Sequence, residues 1–322
     1  MKGYHIYIPN YSVGADCYKE IPWVTRKYGK KAVVIGGKTA MDKVKNALLD
    51  GIDGSELEIT DFVWYGGEAS YENVEMLMET EAVKNADMIF AVGGGRVMDT
   101  CKVVRERLDK PMFTFPTLGS NCAATTSIAV IYHPDGSVNN YFYGKIPAEH
   151  IFINTKIIAE SPEHMFWAGI GDAISKELEA QLAIRGHKAD HTPLMGNQLS
   201  LICIDPLIEY GKKAYEDCKN NTESFELEQV VLDIIITTGM VSNFMTTEND
   251  YYYNSSLAHG FYNGTSVIPN CIHNHQHGEI VSFGSLVLLT YDKNYDECDR
   301  IMKFHKEMGL PLTMSDIDLT DE

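Results

Sequence analysis

The sequence predicts an α/β chain in two parts, an N-terminal domain built on a parallel sheet and an all-helical domain after it. Three observations carry this. The chain has 322 residues, more than one hydrophobic core usually organises, so two domains are the starting expectation. From the start to residue 157 short β-rich runs alternate with helix-like stretches, the pattern of a parallel sheet with crossover helices. From residue 158 to 322 strand signals nearly vanish and long helical patterns take over.

In chain order, MKGYHIYIPNYSVG alternates like a strand, and KKAVVIGG reads as a buried strand followed by the helix TAMDKVKNALLD. ITDFVWYGG is the next strand and SYENVEMLMETEAVKNA the next helix. DMIFAVGGG, RVMDTCKVVRERL and MFTFPT continue as strand, helix, strand. IAVIYHPDGSVNNYFYG adds two strands around Asp135-Gly136, a strong hairpin dipeptide. Beyond residue 158, PEHMFWAGIGDAISKELEAQLAIRG, a stretch ending GKKAYEDC, FELEQVVLDIIITTGMVSNFM and the apolar IVSFGSLVLLTY all read as helices. No internal repeat and no Pro- or Ser-rich linker intervenes, so the expectation is of closely packed domains with a ligand cleft between them.

Composition narrows the function. Lys and Arg total 27 against 45 Asp and Glu, a formal charge of −18, which argues against a nucleic-acid or anionic-membrane partner and for small molecules. The opening lacks the regions of a signal peptide. No apolar run approaches the ~18 residues of a membrane span, so a cytoplasmic location is expected. Cys17, Cys101, Cys122, Cys203, Cys218, Cys271 and Cys298 are odd in number, scattered and never in a C-x-x-C pair, as expected of reduced thiols.

Two local patterns bear chemistry. Gly93, Gly94 and Gly95 end the strand DMIFAV and open the helix RVMDTCK. Glycines let the backbone approach a phosphate, and the helix N-terminus supplies unpaired N–H groups, although such a turn also serves mere tight packing. In HNHQHGEIVSFG, His273, His275 and His277 stand at every second position. In an extended segment they would share one face, as a polar edge or as metal ligands. His277 is the best ligand candidate, because it alone opens the apolar helix that follows.

The pattern GGGxxxDxxK, ending in Asp99 and Lys102, resembles the nicotinamide-cofactor loop of the iron- and zinc-dependent alcohol dehydrogenase family, glycerol dehydrogenase branch. FPTLGSNCAATTSIAVIY is similar to that family's PT-x-x-S segment and the strand ending in Tyr. NTKIIAESPEHMFWAGIGDAISKELEA resembles its domain-joining stretch and G-D-A helix, and LAHGFYNG and HGEIVSFG its two histidine motifs, in the same order. The match runs nearly the whole chain. It implies a dinucleotide-binding domain over 1–157 and a helical metal-binding, catalytic domain over 158–322. The implied reaction is hydride transfer between NAD or NADP and a small alcohol or carbonyl, a polyol or a 2-hydroxy acid with its 2-oxo acid. The resemblance assigns Gly93, Gly94, Gly95, Asp99, Thr117, Ser120, Thr126, Ile128 and Tyr132 to cofactor positioning, with Lys102 supporting the loop. It assigns Asp172, His259 and His277 to Zn²⁺, or Fe²⁺. Two imidazoles and one carboxylate leave coordination positions open, as catalytic sites do. A homo-oligomer is expected.

Departures from the family pattern refine these expectations. Lys176 stands where some members carry a fourth ligand, a histidine, and an ammonium cannot ligate. It lies one helical turn after Asp172 on the same face, and so either sits beside a substrate carboxylate or pairs with a surface acid. Cys122 replaces the aspartate that grips a polyol hydroxyl in glycerol dehydrogenases, and with Lys176 it points to 2-oxo acids over dihydroxyacetone. Tyr262 replaces a second histidine whose proton-relay role its hydroxyl could take. Gly37 and Lys38 stand where NAD-specific relatives have an acidic residue, so a 2′-phosphate is not repelled. The sequence stops at LTMSDIDLTDE, where relatives continue through further helices. Two rivals remain: a dehydroquinate synthase-like lyase, which would need more cations near the metal than Lys176, and a non-catalytic binding member.

Overall fold

A computed structural model describes residues 5–134, 136–248 and 250–319. Its contacts divide the chain into two compact units, one comprising residues up to Leu118 together with Cys122–Ser161, the other Gly119–Asn121 together with Pro162 onward.

The first unit holds a six-stranded, all-parallel sheet in the order β1-β8-β5-β4-β2-β3. The strands are β1 (Asn10–Val13), β2 (Lys31–Gly36), β3 (Glu58–Trp64), β4 (Met88–Gly93), β5 (Met112–Pro116) and β8 (His150–Ile153). Central β2 and β4 read KAVVIG and MIFAVG and are buried on both faces, which is why they are apolar runs rather than alternating ones. The helices are α1 (Ile21–Thr25), α2 (Lys38–Ile52), α3 (Tyr71–Glu79), α4 (Glu81–Asn85), α5 (Gly95–Leu108) and α6 (Thr155–Ala159). Val44 and Leu48 of α2 pack with Phe90, Phe113, Phe115 and Phe152 in the core. β6 (Ile128–Tyr132) and β7 (Val138–Tyr143) form a separate antiparallel pair; the hairpin dipeptide's Asp135 lies outside the described residues.

Three details differ from the sequence expectation. Of the described residues of the first strand only Asn10–Val13 pair, and residues 1–4 lie outside the described residues. The helix expected over SYENVEMLMETEAVKNA breaks at Thr80, whose extended backbone (φ −70°, ψ 124°) ends α3 and caps α4. HIFI, four residues with a histidine among them, proves to be the buried strand β8. There His150 bonds Ser12 Oγ at 2.9 Å, and burial pushes its imidazole down to about 4.

The second unit is helical: α7 (Glu163–Ile184), α8 (His191–Ser200), α9 (Asp205–Lys219), α10 (Phe225–Leu232), α11 (Thr238–Met245), α12 (Leu257–Thr265), α13 (Pro269–Asn274), α14 (His277–Tyr291) and α15 (Tyr295–Met308). Among the described residues no helix is long and apolar enough to cross a membrane. The single helix expected over FELEQVVLDIIITTGMVSNFM is interrupted by a π turn, Asp233–Thr237. Asp233 is buried there with neither carboxylate oxygen in a hydrogen bond.

Burial drives the Asp233 carboxyl well above its ordinary range, and pushes Glu177 of α7 up to about 7. Both folded-state values exceed the unfolded ones, so the folded chain retains protons that the unfolded chain releases. The stability this contributes is complete below the unfolded carboxylate range and is lost as pH rises through the folded values. Calorimetry is expected to show the unfolding midpoint falling between about pH 5 and about pH 8, with Asp233→Asn raising it at the upper end by a few degrees. An Asp233→Asn protein with an unchanged midpoint at the upper pH would refute this.

Candidate metal centre and glycine turn

Helix crossings in the second unit bring three ligating side chains together. A Cβ at Gly278, the second residue of α14, would lie 1.9 Å from the Ala168 carbonyl oxygen and 3.0 Å from Asp172 Cβ, both on α7. A Cβ at Gly284 would lie 2.6 Å from the Ala258 oxygen of α12. Only glycine permits these approaches, and each is flanked by a ligand candidate: Asp172 on α7, His277 at the start of α14, His259 on α12. The start of α14 is fixed by Glu279, whose carboxylate accepts from the Gln276 N–H at 3.1 Å.

Asp172 Oδ1 lies 3.3 Å from His277 Nε2 and 3.6 Å from His259 Nε2, and the three ligand atoms fall within 4.8 Å of one another. That carboxylate oxygen is buried and makes no aligned hydrogen bond. An unsatisfied carboxylate oxygen facing two imidazole nitrogens is the arrangement a divalent cation completes, and the N₂O donor set suits one. Burial pushes the Asp172 carboxyl up, but His277, His259 and Lys176 outweigh it and hold the group below its ordinary range. Burial likewise pulls His259 down, and Glu179 and Asp172 outweigh that and raise it.

The surroundings of the cluster are built from α7. Glu179 is fully buried; its Oε2 takes the His259 Nδ1–H at 2.6 Å, and its Oε1 accepts from the backbone N–H of Ser256 (2.7 Å) and of His259 (2.9 Å). Lys176 is also buried and donates to the Asn254 carbonyl at 3.1 Å and to Asn254 Oδ1 at 2.8 Å. The alternative in which Lys176 pairs with a surface acid is therefore incorrect: the side chain turns inward. Tyr262 sets its ring edge-on to His277, centroids 4.2 Å apart.

The other two histidines of the alternating run do not join the cluster. His273 lies in α13 with Nδ1 2.6 Å from the Pro269 oxygen; His275 bonds Glu279 at 3.0 Å and approaches Asp318 at 3.3 Å. A shared extended face never forms, because His273 is helical, His275 extended and His277 helical again.

In the first unit Gly93 takes φ +147°, Gly94 caps α5 and Gly95 begins it. The Gly93 carbonyl accepts from the Thr117 N–H at 3.1 Å. Asp99, Lys102, Thr126 and Ile128 form one network: Lys102 donates to Asp99 (2.8 Å), Thr126 Oγ1 (2.9 Å) and the Ile128 carbonyl (2.7 Å), and Asp99 accepts from the Val130 N–H (3.1 Å). These bonds tie α5 to β6, so Asp99 and Lys102 brace the turn from behind. Tyr132 ends β6, its N–H bonded to the Ala69 carbonyl and its ring under Arg96. Cys122 is half-buried and in no disulfide, and in the second unit Ser120 accepts weakly from Asn121 at 3.4 Å.

Glu179 and Asn254 escaped the sequence reading. Glu179 was findable, standing two turns after Asp172 on the same face of α7; Asn254, in the irregular YYYNSS, carries no pattern at all.

Comparison with known proteins supplies the family. The family model for iron-containing alcohol dehydrogenase matches residues 9–152. Glycerol dehydrogenase of Thermotoga maritima is 30% identical over 260 residues, covering 79% of this chain and 69% of that protein. Glycerol dehydrogenase 1 of Schizosaccharomyces pombe is 28% identical over 310 residues, 93% of this chain and 65% of that protein. The crystal structure of glycerol dehydrogenase from S. pombe superposes with a TM-score of 0.89 at 25% identity, covering 100% of this chain and 81% of that one. The chain thus spans about two thirds of the length of the first two relatives. A parallel-sheet unit followed by a helical unit is thus a fold this chain shares with a glycerol dehydrogenase of solved structure. The chain belongs to the iron-containing alcohol dehydrogenase family, in its glycerol dehydrogenase-like branch.

Elemental analysis after metal loading is expected to find one divalent cation per chain in unmodified protein and in His273→Ala, and a near-complete loss in His277→Ala. Retention of metal by His277→Ala would contradict the cluster as the binding site.

Proposed function

We propose that this chain catalyses reversible hydride transfer between a nicotinamide dinucleotide and the alcohol-bearing carbon of a small polyol, with a divalent cation on Asp172, His259 and His277. One observation carries the reading: three ligand atoms from three helices converge around a buried, unpartnered carboxylate oxygen in a member of this family. The ligand set accepts both Zn²⁺ and Fe²⁺. Once bound, the cation supplies Lewis acidity toward a substrate oxygen. The first unit serves as the cofactor domain and the second as the metal domain. The glycine turn and the N-terminus of α5 offer N–H groups to the pyrophosphate, while Asp99 and Lys102 keep that turn braced on β6. Thr117, Ser120, Thr126, Ile128 and Tyr132 complete the cofactor positions. Seven cysteines, none of them in a disulfide among the described residues, are compatible with a reducing compartment such as the cytoplasm. The test is NAD(P)H oxidation against small aldehydes, ketones and 2-oxo acids, with chelator and metal add-back. Turnover abolished by chelator and restored by Zn²⁺ or Fe²⁺ supports the reading; no turnover with any carbonyl in metal-replete protein would favour the lyase or binding alternatives.

Cofactor choice follows from the end of β2. Gly37 caps α2 with φ −73°, and a Cβ there would meet nothing closer than Tyr65 at 3.9 Å. Lys38 lays its ammonium over the Trp64 ring, 4.7 Å from the centroid. With Gly37 rather than a carboxylate at that position and Lys38 beside it, a 2′-phosphate is not repelled there, and NADP is accepted alongside NAD. Steady-state kinetics should give kcat/KM values for the two within about tenfold, and Gly37→Asp, which fits the open space, should shift the ratio toward NAD by at least about tenfold. A strong preference for NAD in the unmodified protein would refute this.

A second substrate reading, a 2-hydroxy acid, rests on Lys176, whose buried ammonium lies one turn from Asp172, and on Cys122 in place of a hydroxyl-gripping carboxylate. It predicts that 2-oxo acids are reduced with higher kcat/KM than dihydroxyacetone, and that Lys176→Thr with Cys122→Asp reverses the order. Faster turnover of dihydroxyacetone by the unmodified protein retains the polyol and discards the acid.

A further inference from the structure

One face of α7 carries Asp172, Lys176 and Glu179 at helical spacing, and the last two reach a single short segment. Lys176 holds Asn254 through both its carbonyl and its side-chain oxygen; Glu179 holds Ser256 and His259 by their backbone N–H groups and His259 again by its ring. Every one of these groups lies within six residues of chain, Asn254 to His259, that lead into α12. We propose that Glu179 and Lys176 are positioning residues of the metal centre: Glu179 sets the tautomer and aim of His259, and Lys176 pins the segment that delivers it. This rests on the reading of Asp172, His259 and His277 as metal ligands.

The chemistry of the bond makes Glu179 specific. A carboxylate at 2.6 Å from Nδ1 accepts and cannot donate, so the proton of a neutral His259 sits on Nδ1 and the Nε2 lone pair is left facing Asp172. Metal-ligating histidines depend on such an outer carboxylate for ring orientation and basicity. Glu179 also accepts from two backbone N–H groups, and this fixes what an amide would do in its place. In Glu179→Gln the amide oxygen must stay on the Ser256 and His259 N–H groups, because the opposite orientation sets donor against donor. The NH₂ group then faces Nδ1, forcing the proton onto Nε2 and blocking ligation. Lys176 places its positive charge among Asp172 and Glu179, so the two carboxylates, half-buried and fully buried, are not left to repel each other. In this account the ammonium is committed to Asn254 rather than to a substrate.

Two readouts test the proposal, one of them independent of metal. Zn²⁺ affinity measured by competition with a fluorescent chelator should fall about 10- to 100-fold in Glu179→Gln, and by a smaller factor in Lys176→Met. In metal-free protein above the imidazole titration, ¹⁵N NMR of the His259 ring should show the proton on Nδ1, moving to Nε2 in Glu179→Gln, and amide exchange over 254–259 should quicken in Lys176→Met. Unchanged Zn²⁺ affinity in Glu179→Gln together with an unchanged tautomer overturns the role of Glu179. A Lys176→Met protein with native Zn²⁺ affinity and native exchange, but a raised KM for 2-oxo acids, overturns the role of Lys176 and assigns it to substrate. Should the unmodified protein bind no Zn²⁺, the metal reading falls, while the tautomer and exchange measurements still decide whether Glu179 and Lys176 organise His259.

Discussion

The close crossing of α7 and α14 at Gly278 is the constraint on which the centre depends. The Ala168 carbonyl occupies the space where any other residue at 278 would carry its Cβ. Because the helices touch backbone to backbone there, Asp172 and His277, each next to the crossing, come within 3.3 Å. The contact at Gly284 repeats the device between α14 and α12 and brings His259 to the same point. Short side chains at helix crossings thus set the spacing of long side chains beside them, and the ligand geometry inherits the rigidity of packed backbones rather than the freedom of rotamers.

Electrostatics sets the second condition. Two carboxylates, Glu179 fully buried and Asp172 half-buried, sit on one face of α7, an arrangement that is unfavourable unless cations answer it. Lys176 answers part of it, and the histidines hold Asp172 below its ordinary range. What remains is a carboxylate oxygen with no hydrogen bond between two imidazoles. The centre therefore carries its own demand for a cation. Elsewhere in the same helix burial outweighs the Ile204 N–H and Arg300 at Glu177, and burial likewise dominates at Asp233 of the π turn, so both groups there are driven toward their neutral forms.

Much of this was legible from sequence, and the failures have physical causes. Alternation of β-rich and helical runs predicts the parallel sheet because crossover helices leave a period that periodicity detects, and KAVVIG and MIFAVG stand out as doubly buried strands. β8 is hidden because four residues including a histidine carry too little pattern, and its pairing on both sides, not its composition, makes it a strand. The π turn is invisible because one extra residue per turn shifts hydrophobic spacing by less than the scatter of real helices. The period of two in His273, His275 and His277 carries no information about ligation, because it means a shared face only in extended backbone; the apolar helix that His277 opens is the better signal. His277 stands out by its position at the start of an apolar helix, while its partners Asp172 and His259 come from family resemblance, since no local spacing links residues on three helices. Glu179 was within reach of helical spacing alone, whereas Asn254 is brought in by tertiary structure only.

The most direct test of the account is anomalous diffraction at the zinc edge from crystals of the full chain loaded with Zn²⁺. One peak per chain is predicted, at about 2.0–2.2 Å from Asp172 Oδ1 and the Nε2 atoms of His259 and His277. A peak on His273 or His275, or Zn²⁺ held by His259 through Nδ1 with Glu179 displaced, would contradict it.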